Sequence, residues 1–95
     1  CVIVNEGQDA LTEDILRYLE SSVEPGVAWR HDDRAYSDCD RQNTDAHLRA
    51  LLLSPAVTLQ VSGGELVLGQ WQRVIVAELD GPRTRTLRLQ VMGVA

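Results

Sequence analysis

The chain has 95 residues and a mass of 10.5 kDa, which is the size of one domain. Hydrophobic residues make up 44% of it and charged residues 24%, a balance typical of a folded globular domain and not of a disordered segment. No apolar run approaches the roughly 18 residues of a membrane span. The net charge of −5 argues against nucleic acid, whose phosphates select a basic surface. Membrane and nucleic-acid partners are therefore not expected.

The first residues, Cys1–Asn5, form a short apolar run with β-branched side chains, which predicts a buried strand. They contain no basic region of the kind that opens a signal peptide. The two cysteines, Cys1 and Cys39, are too few for a disulfide scaffold and form no CxxC pair. Reduced thiols in a cytoplasmic protein are therefore preferred over a disulfide.

Two helices are predicted. In the first, Asp9 can act as the N-cap, and Pro25-Gly26 ends the segment. Its apolar residues recur mostly three and four positions apart: Leu11, Ile15, Leu16, Leu19 and Val23.

The second helix follows a long polar stretch, and Asn43 or Thr44 can cap it. Leu48, Leu51 and Leu52 would form its buried stripe, and Ser54-Pro55 would end it.

From Ala56 onward the pattern changes to strands. The predicted strands are Ala56–Val61, Glu65–Leu68, Arg73–Leu79 and Thr86–Val91. Arg73–Leu79 is mostly apolar on both faces, which predicts a central strand. The last strand alternates, with Leu87, Leu89 and Val91 expected to face inward. Strands around two helices predict the α+β class, with a core formed by Ile15, Leu19, Leu51 and Leu89.

The polar segment Trp29–His47 holds both histidines, His31 and His47. It also holds five aspartates: Asp32, Asp33, Asp38, Asp40 and Asp45. Imidazole and carboxylate together suit a divalent metal or a general acid–base pair. The spacing matches no zinc signature, so a solvated acidic loop is the interpretation that the cluster alone favours. For His47, at the start of a helix, the helix alone favours a packed side chain.

A second unusual feature is Gly69-Gln70-Trp71-Gln72, which lies between two strands. A glycine there indicates a bulge or a close backbone approach. The alternative is a core or interface tryptophan whose indole N–H binds a carbonyl. Glu78, in an otherwise apolar strand, is either buried and paired or exposed at an edge.

Several short motifs, in this order and spacing, resemble those of the YjbQ-like family along essentially the whole chain. They are Asn5-Glu6, Asp9, His31, Asn43-x-x-Ala46-His47-Leu48, Gly69-Gln70-Trp71-Gln72 and Glu78-Leu79-Asp80-Gly81-Pro82-Arg83. The resemblance implies an α+β fold with a mixed, largely antiparallel sheet and two helices. It also implies a trimer with clefts near its interfaces. Family members carry a further segment upstream, so the chain is expected to be a single domain, residues 1–95, lacking that segment.

The implied activity is a weak thiamine-phosphate synthase, which joins a pyrimidine pyrophosphate to a thiazole phosphate and releases pyrophosphate. The family's main reaction is left open by the resemblance. Catalytic roles fall to Glu6, His31 and His47, and the two histidines would hold a divalent metal, either magnesium or zinc.

Binding of the phosphorylated substrate would involve Asn43, Trp71, Gln72 and Arg83, with Arg73 as an alternative phosphate partner. Asn43 and Gln72 are expected to act there as hydrogen-bond donors. The rival hypothesis is a non-catalytic oligomeric module in which the same residues hold subunits together.

Overall fold

The computed structural model describes residues 1–38 and 41–94, and it confirms the α+β class. In chain order the elements are β1 (Val2–Glu6), α1 (Asp9–Ser21), a one-turn 3₁₀ helix (Arg30–Asp32), α2 (Thr44–Ala50), β2 (Val61–Ser62), β3 (Glu65–Leu66) and β4 (Gln72–Val76). The predictions made for Cys39 and Asp40 lie outside the described residues. Cys1 is a free, half-buried thiol.

Strands β1 and β4 form an antiparallel pair whose register runs from Val2 opposite Val76 to Glu6 opposite Gln72. At one end the ladder continues through the Ala77 N–H, which donates to the Cys1 carbonyl at 2.8 Å. On the other edge of β1, the Val2 N–H donates to the Ser54 carbonyl at 2.8 Å. The chain leaving α2 is therefore attached to the start of β1.

Strands β2 and β3 form a separate short hairpin across Gly63 and Gly64, both of which have positive φ. The largely antiparallel pairing is confirmed, and within residues 1–38 and 41–94 it is divided between two two-stranded sheets. Among the described residues the predicted central strand pairs only with β1, and Val74 is 40% exposed. An apolar pattern indicates that both faces of a strand can be buried. Burial still requires other chain segments that pack against those faces.

The predicted last strand is also wrong for this chain. Residues 83–94 adopt no helix or strand, and the side chains expected to face inward, Leu87, Leu89 and Val91, are exposed. Their alternation is compatible with a strand, but this segment has no ladder partner among the described residues. A strand forms only where a second backbone accepts and donates its hydrogen bonds.

The buried core lies between the two helices and is small. Leu19, Val23 and Ala46 are buried, together with the polar residue Thr44. Of the predicted core, Leu19 is confirmed and Ile15 is half-buried.

Two other predicted core residues are exposed: Leu51 by 79% and Leu89 by 93%. The predicted α2 stripe is wrong at Leu51 and Leu52, because α2 ends at Ala50 and both leucines fall in the turn beyond it.

Arg49 joins the two helices. Its Nε donates to the Leu19 carbonyl at 2.7 Å, and its Nη2 donates to the Glu20 carbonyl at 3.3 Å. Its Nη1 pairs with Asp45 one turn earlier on α2. Carbonyls near the end of a helix have few partners within that helix, so a guanidinium from α2 satisfies the end of α1.

The predicted caps differ in detail. Gln8, not Asp9, is the N-cap of α1, and it makes no side-chain cap bond. Asn43 is the N-cap of α2, but its side chain makes no cap bond there either. The Asn43 amide is instead engaged with Asp80, beyond β4.

The chain is open in shape. Its radius of gyration is 16.9 Å, compared with about 12 Å for a compact domain of this length. Its principal extents are 55, 32 and 20 Å. Within the described ranges, no helix is both long and apolar enough to cross a membrane.

Candidate functional site

The two histidines lie against each other. The ring centroids of His31 and His47 are 4.9 Å apart, with the ring planes at 66° in an edge-to-face arrangement. Asp32 holds the two elements together, because its Oδ1 accepts hydrogen bonds from the Thr44 backbone N–H at 3.2 Å and from Thr44 Oγ1 at 2.8 Å. The Asp32 carboxylate thus satisfies a free N–H in the first turn of α2 and brings the 3₁₀ helix to it.

Two polar atoms at this pair and beside it are buried and have no hydrogen-bond partner within residues 1–38 and 41–94: His31 Nε2 and Asn43 Oδ1. The other ring nitrogen of His31, Nδ1, lies 3.4 Å from Ser37 Oγ. A buried polar atom without a partner costs about 1–3 kcal/mol. Such atoms are expected where a ligand, a metal or a water completes the structure.

The Asn43 amide is fixed by Asp80. Asn43 Nδ2 donates to Asp80 Oδ2 at 2.9 Å, and the same carboxylate pairs with Arg41 at 2.9 Å and Arg83 at 3.0 Å. The hydrogen bond from Asn43 lowers the pKa of Asp80, and the charges of Arg41 and Arg83 add to this lowering, against a smaller opposing effect of desolvation. Asp80 is therefore an ionised anchor between α2 and the turn that follows β4.

A cleft of about 360 Å³ lies between α2 and the turn that follows β4. Residues that line it include Cys1, Val2, Asn43, His47, Asp80 and Arg83. The structure thus places three of the predicted site residues, Asn43, His47 and Arg83, in one cleft, with His31 packed against His47.

Glu78 is exposed and paired. Arg85 Nε donates to Glu78 Oε2 and Arg85 Nη2 donates to Glu78 Oε1, each at 2.6 Å. This two-point hydrogen bond is the main cause of a pKa of about 2 for Glu78, and the Asp80 backbone N–H contributes further. Of the two interpretations of Glu78, its exposure to solvent is confirmed, but the residue lies beyond the end of β4 and its side chain is paired.

Glu6, Trp71 and Gln72 lie at the other end of the β1–β4 ladder. Glu6 pairs with Gln72 at that end, whereas the cleft lies at the Val2–Val76 end. Four steps along a strand correspond to about 13 Å. Within one chain, therefore, these three residues do not share the cleft with Asn43 and His47.

The Gln72 side chain closes a turn. Its Oε1 accepts from the Gly69 N–H at 2.7 Å, and the Gln72 backbone N–H donates to the Gly69 carbonyl at 3.0 Å. Trp71 is 65% exposed, so the core interpretation of this tryptophan is wrong for this chain. The amide oxygen of Gln72 therefore accepts a hydrogen bond within the chain, whereas the amide oxygen of Asn43 accepts none from the described residues.

A close backbone approach occurs, and it is at Gly7. Its N–H donates to the Trp71 carbonyl at 2.9 Å. A Cβ at position 7 would lie 2.5 Å from Arg73 Cγ. Arg73, the alternative phosphate partner, uses its Nη1 on the carbonyls of Gln70 and Gln72 and is not among the residues that line the cleft.

The donor set suits a metal only in part. Two imidazoles that share a tetrahedral zinc at 2.0–2.1 Å have ring centres about 5 Å apart, and the pair here is at 4.9 Å. Yet nowhere in residues 1–38 and 41–94 do three His, Cys, Asp or Glu side chains form a group that could hold a metal ion. The amide oxygen Asn43 Oδ1 is a further candidate donor, of the oxygen type that magnesium accepts.

Sequence reasoning did not single out Asp32 or Asp80 for individual roles. Asp32 was one of five aspartates in a polar stretch, and Asp80 was one residue of the Glu78–Arg83 motif. The available signal was only that Asp32 directly follows His31 and that Asp80 lies three residues before Arg83. Which aspartate positions a site residue depends on contacts between distant segments.

The model of the family described as "UPF0047 protein YjbQ-like" matches residues 1–94. A UPF0047 protein of Archaeoglobus fulgidus is 43% identical over 91 residues, which cover 96% of this chain and 68% of that protein. One from Methanothermobacter thermautotrophicus is 38% identical, with 97% and 60% covered. The UPF0047 protein YugU of Bacillus subtilis is 35% identical, with 97% and 65% covered.

The chain spans 60% to 68% of the length of these three relatives. No solved structure matches it. The match to the family model covers nearly every residue, and the relatives agree with it along nearly the whole chain. This chain belongs to the YjbQ-like family of UPF0047 proteins.

Proposed function

We propose that the cleft binds a small phosphorylated ligand and that His31 and His47 act in its chemistry either as ligands of a divalent metal or as acid–base groups. The observation that carries this proposal is the edge-to-face histidine pair beside two buried polar atoms without partners. A purely structural pair would be expected to have its polar atoms satisfied within the chain. The reaction that the family resemblance suggests is the coupling of a pyrimidine pyrophosphate to a thiazole phosphate.

In that coupling the thiazole ring nitrogen forms a bond to the carbon that carries the pyrophosphate, the bond from that carbon to oxygen breaks, and the electron pair leaves with pyrophosphate. Departure of such a group needs positive charge close to it. Arg83 lines the cleft, and its guanidinium suits the oxygens of a phosphate group. Asp80 holds Arg83 at 3.0 Å, so the charge is in place before the ligand arrives.

A divalent metal, magnesium or zinc, is part of the proposal. In the first of these roles, as metal ligands, His31 and His47 would hold it. When bound, such a metal neutralises charge on a departing pyrophosphate. The ring separation of 4.9 Å and the unpartnered His31 Nε2 support this assignment.

We also propose a homo-oligomer, with the trimer that the family resemblance implies, in the cytoplasm. Exposed leucines and valines, the open shape and the marginal stability of two-stranded sheets support assembly. Glu6, Trp71 and Gln72 lie away from the cleft of their own chain. We therefore assign them to the cleft of a neighbouring subunit in the oligomer. The free thiol of Cys1 is compatible with a reducing compartment.

The second candidate is a non-catalytic oligomeric module. It is favoured by the absence, within the described residues, of a three-residue His, Cys, Asp or Glu metal group. It is also favoured by the use of the Gln72 side chain inside its own turn. In this alternative the histidine pair is a packing contact and the cleft binds nothing with affinity.

The test is calorimetric titration of the protein with zinc, magnesium and pyrophosphate. His47→Ala should abolish binding of zinc and weaken that of pyrophosphate, while the circular dichroism spectrum stays unchanged because His47 is exposed. Asp45→Asn, which alters an exposed residue of α2, is the matched control and should bind as the wild type does. Identical isotherms for the wild type and His47→Ala would favour the non-catalytic module.

A further inference from the structure

We infer that Asp80 is a positioning residue that fixes the Asn43 amide with its oxygen free for the site, so that the bound ligand carries a hydrogen-bond donor. The inference rests on the proposed function, and it adds a requirement on the ligand. Asn43 was expected to donate to the substrate, and its donor group is already used within the chain. What remains for a ligand is an acceptor.

The orientation of the amide follows from the chemistry of its partner. An ionised carboxylate only accepts hydrogen bonds, so the group of Asn43 that approaches Asp80 at 2.9 Å has to be the NH₂. Two arginines contact the same carboxylate, which keeps it ionised. The amide oxygen is bonded to the same carbon as the nitrogen and therefore points to the other side.

No hydrogen-bond donor of the described chain engages that oxygen. As N-cap of α2, Asn43 would ordinarily accept a hydrogen bond from a backbone N–H in the first turn. Here the Thr44 N–H donates to Asp32, while the N–H groups of Ala46 and His47 donate to the Asn43 backbone carbonyl. Asn43 Oδ1 is thus left as a buried acceptor on a residue that lines the cleft.

The Asp80 carboxylate also offsets the positive charges of Arg41 and Arg83. Replacing it with an amide of the same shape should have two opposite effects. The Asn43 amide loses its fixed orientation, which weakens binding of a ligand with a donor. The charge of Arg83 is no longer offset, which strengthens binding of an anion. Unfolding cannot produce this combination, because it weakens both.

The experiment compares Asp80→Asn with the wild type, using three probes. Pyrophosphate reports on the arginine charge, and 4-aminopyrimidine and 4-methylpyrimidine are a matched pair with and without an N–H donor. The wild type should prefer the amino compound by about three- to tenfold, the value of one hydrogen bond. In Asp80→Asn this preference should disappear, while pyrophosphate should bind about two- to fivefold more tightly, as expected for an exposed charge pair.

Asn43→Ala is the second variant. It removes the acceptor but leaves the pairs of Asp80 with Arg41 and Arg83, so it should lose the preference without the tighter binding of pyrophosphate that is expected of Asp80→Asn. Asp45→Asn, an aspartate change on the same helix, should keep both properties. Binding is followed by calorimetry and by the side-chain amide signals of Asn43 in ¹H–¹⁵N spectra.

A wild type with no preference for the amino compound, or an Asp80→Asn variant that retains the preference, would overturn the inference. If the wild type binds pyrophosphate without that preference, the inference alone fails. If the preference is present but pyrophosphate does not bind, the requirement for a donor holds and the phosphorylated ligand of the proposed function is contradicted.

Discussion

His31 and His47 contact each other edge to face at 4.9 Å because a residue next to one of them binds the helix that carries the other. Asp32 follows His31 and accepts two hydrogen bonds from Thr44, the first residue of α2. The geometry of the candidate site therefore depends on a carboxylate that does not itself line the cleft.

We expect Asp32→Ala to lower the free energy of unfolding by about 1–2 kcal/mol, as for loss of a helix cap. It should also weaken zinc binding, because it releases His31 from His47. Thr44→Val keeps the shape of the buried side chain and removes only the hydrogen bond from Oγ1. It should therefore lower the free energy of unfolding and the zinc affinity less than Asp32→Ala does. Chemical denaturation and calorimetry measure these effects, and equal zinc affinity in Asp32→Ala and the wild type would contradict the prediction.

The Glu78–Arg85 pair predicts a pH dependence of stability. The pKa of Glu78 is about 2 in the folded chain, lowered from 4.5 mainly by the hydrogen bonds from Arg85. Because the folded pKa is the lower one, the stabilisation is present above pH 4.5 and is lost as the pH falls toward 2. The Tm of the wild type should fall more steeply across this range than that of Glu78→Gln. Parallel curves for the two proteins would show that the pair does not contribute.

Gly7→Ala should be destabilising, since a Cβ at this position lies 2.5 Å from Arg73 Cγ. That atom is close to the backbone, so the side chain cannot simply swing away. We expect a loss of about 1–3 kcal/mol in the free energy of unfolding, as in other overpacked sites. In a double-mutant cycle with Arg73→Ala, most of this loss should be recovered. Strictly additive effects would show that the two residues do not collide.

Two substitutions that each remove a charge from α2 should differ in how much they lower the free energy of unfolding. Arg49→Ala should cost about 1–3 kcal/mol, because the Leu19 and Glu20 carbonyls lose a charged donor. Asp45→Asn removes only the exposed partner of Arg49 and should cost about 0.5 kcal/mol or less. Equal costs in denaturant unfolding would mean that the ion pair, and not the contact with α1, is what Arg49 contributes.

Leu89 tests the proposed assembly. At 93% exposure in the single chain, Leu89→Ala should change the stability of a monomer by about 0.5 kcal/mol or less. In an oligomer that covers this segment, Leu89→Asp should shift the sedimentation profile toward the monomer at micromolar concentration. Sedimentation of the wild type as a monomer at this concentration would contradict the proposal.

Local pattern in the sequence identified both helices, because apolar spacing and Pro-Gly punctuation act over a few residues. It also identified β1 and the segment of β4. It failed at Leu51, where a helix ended earlier than its leucine spacing indicated, and at Leu89, where alternation indicated a strand. Alternation predicts which side chains lie on the same face of a strand. It does not predict which other strand forms hydrogen bonds with it.

The sequence by itself determined the family, the α+β class and the residue types of the candidate site. Only the tertiary structure decided that His31 meets His47, that Asp80 takes the donor group of Asn43, and that Glu6 and Gln72 lie at the far end of the ladder. The physical reason is distance along the chain. Secondary structure follows from neighbours a few residues apart, whereas these contacts join separate elements, and hydrogen bonds between them exist only once the chain has folded.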